Sequence, residues 1–176
     1  MDFTTLSTQR YSVRKFQDTP VKKEDLDIIL NAARSAPTAG NRQPQRILVL
    51  TKAGDLEKID ACTKCRFGAP VVLVICADTS VCWVRPFDGA KSDQVDASIV
   101  TTQMMLQAAD IGLGTTWVMY FDPAKLIAEF KLPEKLLPVA VLILGYPASD
   151  AQPAERHAQR NPLESIAFYN RFPDQV

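Results

Sequence analysis

Ile111-Gly112-Leu113-Gly114-Thr115-Thr116-Trp117-Val118-Met119-Tyr120 is the stretch that selects among the α/β architectures open to this chain. It is a tight G-x-G turn feeding a short, β-compatible run over Thr115–Met119. A dinucleotide-binding fingerprint would add a third glycine, a strand before the turn and an acidic position downstream. All three marks are lacking, so a Rossmann fold is rejected. The chain also contains no GxxxxGK[ST] phosphate loop and no GxSxG nucleophile elbow, which removes the strongest cues for nucleotide hydrolysis and esterase chemistry.

Upstream of the turn, Asp93–Asp110 is the longest helical candidate. Its apolar positions Ile99, Met104, Leu106, Ala108 and Ala109 spread over more than one narrow stripe, which predicts broad cover, inside a core or between subunits. Downstream, Pro123 suits the first turn of a helix over Ala124–Phe130, and Leu136–Leu144 reads as a strand with Pro138 near its start. Toward the N-terminus, Asp2–Thr8 makes a short helix. Lys23–Arg34 places Leu26, Ile29, Leu30 and Ala33 on one helical face before Pro37 and Gly40 stop it. Arg46–Thr51 is a short strand, Gly54–Cys62 a helix, and Pro70–Ala77 a central strand without polar alternation. This order favours a layered arrangement of helices and strands and leaves strand order and direction open.

With 176 residues, 47% of them hydrophobic and 20 basic side chains balancing 20 acidic ones, the composition is that of an ordinary globular chain. Neither a large nucleic-acid footprint nor a membrane partner is expected. The longest apolar runs fall well short of the roughly 20 residues that cross a bilayer, and the N-terminus has no basic region followed by an apolar stretch. A cytoplasmic protein with reduced thiols is the expectation. Cysteines 62, 65, 76 and 82 are crowded into one segment and would not staple the chain. Cys62-Thr63-Lys64-Cys65 has CxxC spacing but no second close pair, and His157 is the single imidazole, so no metal site is expected.

Residues 1–176 read as one domain, too small for separate cofactor and substrate domains unless a second copy contributes. Residues 148–176 carry the apolar anchors Leu163, Ile166, Phe168, Tyr169 and Phe172 among charged side chains. Extended, this segment could reach about 90 Å. It could pack on its own subunit or wrap a partner.

Two further stretches could carry chemistry, the first against the alternative of a solvated basic turn and the second against that of a simple helix-stop loop. Gln9-Arg10-Tyr11-Ser12-Val13-Arg14-Lys15-Phe16 sets two guanidiniums and a hydroxyl just after a short helix, a donor set suited to phosphate oxygens. Ala36-Pro37-Thr38-Ala39-Gly40-Asn41-Arg42-Gln43-Pro44 is a polar loop restrained by two prolines, able to hold a heterocycle with little reorganisation. Trp83-Val84-Arg85-Pro86-Phe87-Asp88-Gly89 reads as a packed surface turn held by aromatic burial, with a substrate lid as the alternative. Asp96, Gln103 and Asp110 have spacing too mixed for a catalytic-carboxylate assignment.

Taken together, these segments resemble the nitroreductase family of flavin-dependent oxidoreductases from Arg10 to the Leu163 region. The resemblance implies an α+β layered fold, with a central mixed β-sheet surrounded by helices in an intertwined homodimer. Residues 148–176 would embrace the partner. FMN is the implied cofactor, with NADH or NADPH as transient electron donor. Arg10, Ser12 and Arg14 match the N-terminal flavin-binding motif, with Tyr11 replacing a frequent basic residue and offering its hydroxyl to phosphate or ribityl. Pro37, Thr38, Ala39, Asn41 and Gln43 match the loop that reaches the cofactor across the dimer, Thr38-Ala39 standing where paired serines are common. Trp117, Val118, Met119 and Tyr120 match the segment beside the isoalloxazine, where Tyr120 or its neighbour replaces a common glycine. Arg160 maps to a late basic residue at the phosphate.

In the implied ping-pong cycle, a nicotinamide reduces FMN, leaves, and yields its place to a small electrophilic acceptor such as a quinone or nitro compound. The backbone near Met119 and Tyr120 would steer the flavin N5, and Arg14 would stabilise negative charge on the reduced ring. The alternative is a flavin-binding or scavenging protein with little nicotinamide-dependent turnover.

Overall fold

The computed structural model describes residues 2–173, so Met1 and residues 174–176 of the expected 1–176 domain and 148–176 arm lie outside the described residues. Five α-helices and four strands are described, besides three short 3-10 turns: α1 (Phe3–Gln9), α2 (Lys23–Ser35), β1 (Gln45–Leu50), α3 (Ala53–Cys62), β2 (Val71–Asp78), α4 (Asp93–Asp110), β3 (Gly114–Val118), α5 (Pro123–Phe130) and β4 (Leu136–Gly145). They match the expected elements in order, with ends displaced by a residue or two.

The strands form one sheet in the order β1-β2-β4-β3, and all three pairings are antiparallel. The expected mixed sheet owes its parallel component to a single bridge between Ser12 and Thr115. Every residue of β2 is buried, which explains its missing polar alternation. Val71, Leu73, Ile75 and Ala77 face Ile29, Ala97, Val100 and Met104 of α2 and α4. Val72, Val74 and Cys76 face Ile59 and Leu126 of α3 and α5. The sheet is thus sandwiched between two helical layers.

Pro138, predicted near the start of its strand, sits at a bulge. Ile75 pairs with Ala140 and Cys76 with Pro138, leaving Val139 as the extra residue. A proline has no N–H for the ladder, so the break falls where the ladder can give up a donor. One extra residue also flips the face pattern. Leu142 and Leu144 point to the α4 layer, and across the bulge so do Val139 and Leu137.

α4 is buried along Asp96, Ala97, Val100, Thr101, Met104 and Ala108, the i, i+4 stripe expected of a helix lying on a sheet. Broad cover of α4 is not seen within one chain, because Val95 is 61% exposed and Ile99 37%. Met104 is fully buried and Met105 packs beside it, as core side chains.

Candidate active site

The N-terminal motif runs beside β3. Val13 N–H donates to the Thr115 carbonyl at 3.0 Å, and Thr116 Oγ1 donates to the Val13 carbonyl at 2.6 Å. The parallel bridge from Ser12 to Thr115 sends the chain toward Arg14 as β3 runs toward Trp117. Such an approach requires glycine at 114, where a Cβ would stand 2.6 Å from Val13 Cγ2. The second glycine of the G-x-G turn therefore admits the motif.

Arg10 caps α1 and is half-buried. Burial, and then repulsion from Arg160, hold its guanidinium below its ordinary pKa. Arg160 Nη1 donates to the carbonyls of His157 and Gln159, and Arg14 Nη1 to the Ser12 carbonyl at 3.2 Å. Among the described residues, none of these three arginines meets a carboxylate. Cationic forks brought together without a counter-charge fit a phosphate that accepts from both. Tyr11 has a different place. Its hydroxyl donates to the Ala151 carbonyl at 3.3 Å and its ring meets His157 edge-on at 6.2 Å, so it fastens the start of the C-terminal segment that carries Arg160.

The 37–43 loop has three positive φ values, at Gly40 (57°), Asn41 (52°) and Gln43 (48°). It is laced internally: Thr38 Oγ1 accepts from Gln43 N–H at 3.1 Å, and Gln43 Nε2 donates to Asn41 Oδ1 at 3.1 Å. Its outside ties are Ala39 N–H, which donates to Asp96 Oδ1 at 2.9 Å, and the Gln43 carbonyl, which accepts from Arg46 Nη1 of β1 at 3.1 Å. Pro37 is exposed and lines a shallow cavity with Val95 and Ile99 on the open face of α4. The Trp83–Gly89 turn is not held by aromatic burial, since Phe87 is 93% exposed. An Arg85–Asp88 ion pair at 2.6 Å and the Val84–Lys91 bridge shape it instead.

At the end of β3, Val118 is buried and Trp117 packs on the α4 side, whereas Met119 and Tyr120 are 66% and 72% exposed. Thr63 Oγ1 donates to the Tyr120 carbonyl and accepts from Cys65 N–H at 3.1 Å, while Asp122 N–H donates to the Cys62 carbonyl at 2.9 Å. These bonds fix the corner after β3 and bound a cavity of about 400 Å³ against Asp60–Lys64. Tyr120 N–H has no acceptor among the described residues, so it can donate to a ring nitrogen. Thr63 was missed in the sequence because its partner is 57 positions away and its neighbours drew attention to thiols. Burial, helped by Glu129 and Asp122, pushes the Cys62 thiol up and leaves it protonated rather than nucleophilic.

One chain does not bring all of these groups together. The N-terminal motif stands at the C-terminal end of α4, where Arg10, Tyr11 and Val13 share a crevice of about 210 Å³ with Ala109 and Leu113. The 37–43 loop is tied to Asp96 in the first turn of α4. At about 1.5 Å per residue, Asp96 and Ala109 lie about 20 Å apart along the axis.

The sequence profile of the Nitroreductase family matches residues 8–66 and 60–146. A crystal structure of a nitroreductase family protein from Clostridium difficile 630 superposes with a TM-score of 0.92 at 42% identity, covering 98% of this chain and 100% of that one. An FMN-dependent nitroreductase from Clostridium difficile R20291 superposes with a TM-score of 0.78 at 26% identity, covering 97% and 100%. The putative NADH dehydrogenase/NAD(P)H nitroreductase of Methanothermobacter thermautotrophicus is 33% identical over 165 residues, covering 85% of this chain and 80% of the relative. The profile match spans the motif strand, the polar loop and the corner after β3, and the chain belongs to the nitroreductase family of FMN-dependent oxidoreductases.

Proposed function

We propose that the protein carries reducing equivalents from NADH or NADPH through FMN to a small electrophilic acceptor, such as a quinone or nitro compound, in a ping-pong cycle. Its active sites are shared across a homodimer. The observation that carries this reading is the split of the flavin motifs between the two ends of α4, with an open apolar helix face between them. A two-fold related copy docked on that face would bring its 37–43 loop to the first chain's motif and corner. Leu163, Ile166, Tyr169 and Phe172, all at least 66% exposed, suit an arm that buries its side chains on the partner.

Arg10 and Arg160 hold the phosphate, with Ser12 beside them, while Arg14 balances negative charge on the ring. Pro37, Thr38, Ala39, Asn41 and Gln43 contact the ring from the partner. Tyr120 N–H donates toward N5, and Trp117, Val118 and Met119 set the height of that edge. FMN, when bound, supplies the hydride chemistry that none of these side chains provides. Among the described residues no helix is long and apolar enough to cross a membrane, and the four cysteines are free, as suits a reducing cytoplasm.

The test is spectral. FMN-loaded protein should bleach on mixing with NADH or NADPH and recover its colour when an acceptor is added. Retention of FMN without bleaching by either donor would leave the flavin-scavenging alternative standing.

A further inference from the structure

Asp96 is 1% exposed, and the hydrogen bonds its carboxylate accepts come from neutral donors. Oδ1 accepts from Ala39 N–H at 2.9 Å and Oδ2 from Ser92 Oγ at 2.7 Å. Ser92 Oγ in turn accepts from Trp83 N–H at 3.1 Å, and Ser92 N–H donates to the Trp83 carbonyl at 2.9 Å. Trp83 also reaches the loop, with Cδ1 placed 3.5 Å from where a Cβ on residue 40 would stand. A single buried carboxylate thus joins the 37–43 loop, the first turn of α4 and the base of the 83–91 turn.

We propose that Asp96 is the positioning residue that holds the 37–43 loop in its flavin-binding shape, an inference that rests on the functional reading above. Three left-handed backbone positions within four residues make this loop costly to order. Its internal bonds among Thr38, Asn41 and Gln43 shape the loop without placing it on the body of the protein. Arg46 Nη1 holds the far end at the Gln43 carbonyl, and the Ala39–Asp96 bond places the near end, at the residue next to Gly40. A buried carboxylate without a cation is expensive to keep, and its cost is offset here by two charge-assisted hydrogen bonds and by the amino end of α4. Either an alanine or an isosteric apolar side chain at 96 would leave Ala39 N–H and the Ser92 O–H without their acceptor.

The test combines FMN titration of apoprotein, followed by flavin fluorescence, with hydrogen exchange of the Ala39 amide. Asp96→Ala should raise the FMN Kd about tenfold or more, the range for a lost hydrogen bond to a charged group. It should also expose the Ala39 amide to exchange. Asp96→Asn keeps a carbonyl oxygen for Ala39 N–H and should return the Kd to within about threefold of wild type. Two results overturn the role of Asp96: an Asp96→Ala protein that binds FMN as wild type does, or an Asp96→Asn protein as weak as Asp96→Ala. Should Asp96→Ala fail to fold, wild-type exchange decides, and an Ala39 amide that exchanges as fast as that of Gly40 overturns the proposal. Wild-type protein that binds no FMN overturns the functional reading itself, a result distinct from equal binding by wild type and variant.

Discussion

The Thr63 hydroxyl donates to the carbonyl of Tyr120, joining the residue after α3 to the corner after β3. The same oxygen accepts from Cys65 N–H, so one buried side chain serves two backbone groups. Thr63→Val should cost about 1–3 kcal/mol, because a part-buried N–H loses its acceptor. It should also slow bleaching by nicotinamide as the corner loosens. Thermal unfolding and stopped-flow absorbance check the two effects, and Thr63→Ser should restore both.

Arg10 and Arg160 repel each other in the free protein. Arg160→Gln should therefore leave the apoprotein at least as stable as wild type while weakening FMN binding about tenfold or more, the loss expected for a charge-assisted contact to phosphate. Calorimetry of the apoprotein and FMN titration at two salt concentrations separate these opposite signs. The wild-type Kd should rise more steeply with salt than that of the variant.

Burial pushes the Cys76 thiol up to about 11 from its ordinary 9.0. The folded protein keeps this proton where the unfolded chain releases it. The contribution to stability is therefore complete below pH 9 and is lost as pH rises from about 9 to about 11. Denaturant melts across that range should show the decline, with a slope near 1.4 kcal/mol per pH unit from this group, and Cys76→Ala should flatten it. Half-buried Cys65 should be alkylated before Cys62 or Cys76 in the native protein.

Ile99 lies on the open face of α4. Ile99→Asp should yield a monomer in sedimentation that retains wild-type circular dichroism and binds little FMN. A dimeric, FMN-loaded Ile99→Asp protein would remove α4 from the proposed shared interface.

The elements were legible where one period dominated, as in β2, whose unbroken apolar run reflects cover on both faces. Strand direction was not legible, because an apolar run packs equally well either way and its neighbours are chosen by contacts remote in sequence. Pro138 announced a strand start, while the bulge it occupies emerged only from its pairing with Cys76. Arg10, Ser12 and Arg14 could be picked out because a phosphate-suited donor set is local. Asp96 and Thr63 could not, since each acts on a backbone group 57 positions away, and an acid in the first turn of a helix is also ordinary dipole matching.

In the proposed homodimer, the 20 Å that α4 sets between motif and loop has a genetic consequence. A chain defective only at Arg10 and a chain defective only in the 37–43 loop would each form inactive homodimers. Their mixed dimer would hold one pocket with both defects and one built entirely from undamaged parts. Two null alleles co-expressed in one cell would then complement each other, with up to half the activity per mixed dimer, whereas two alleles damaged at Arg10 and Arg160 would not.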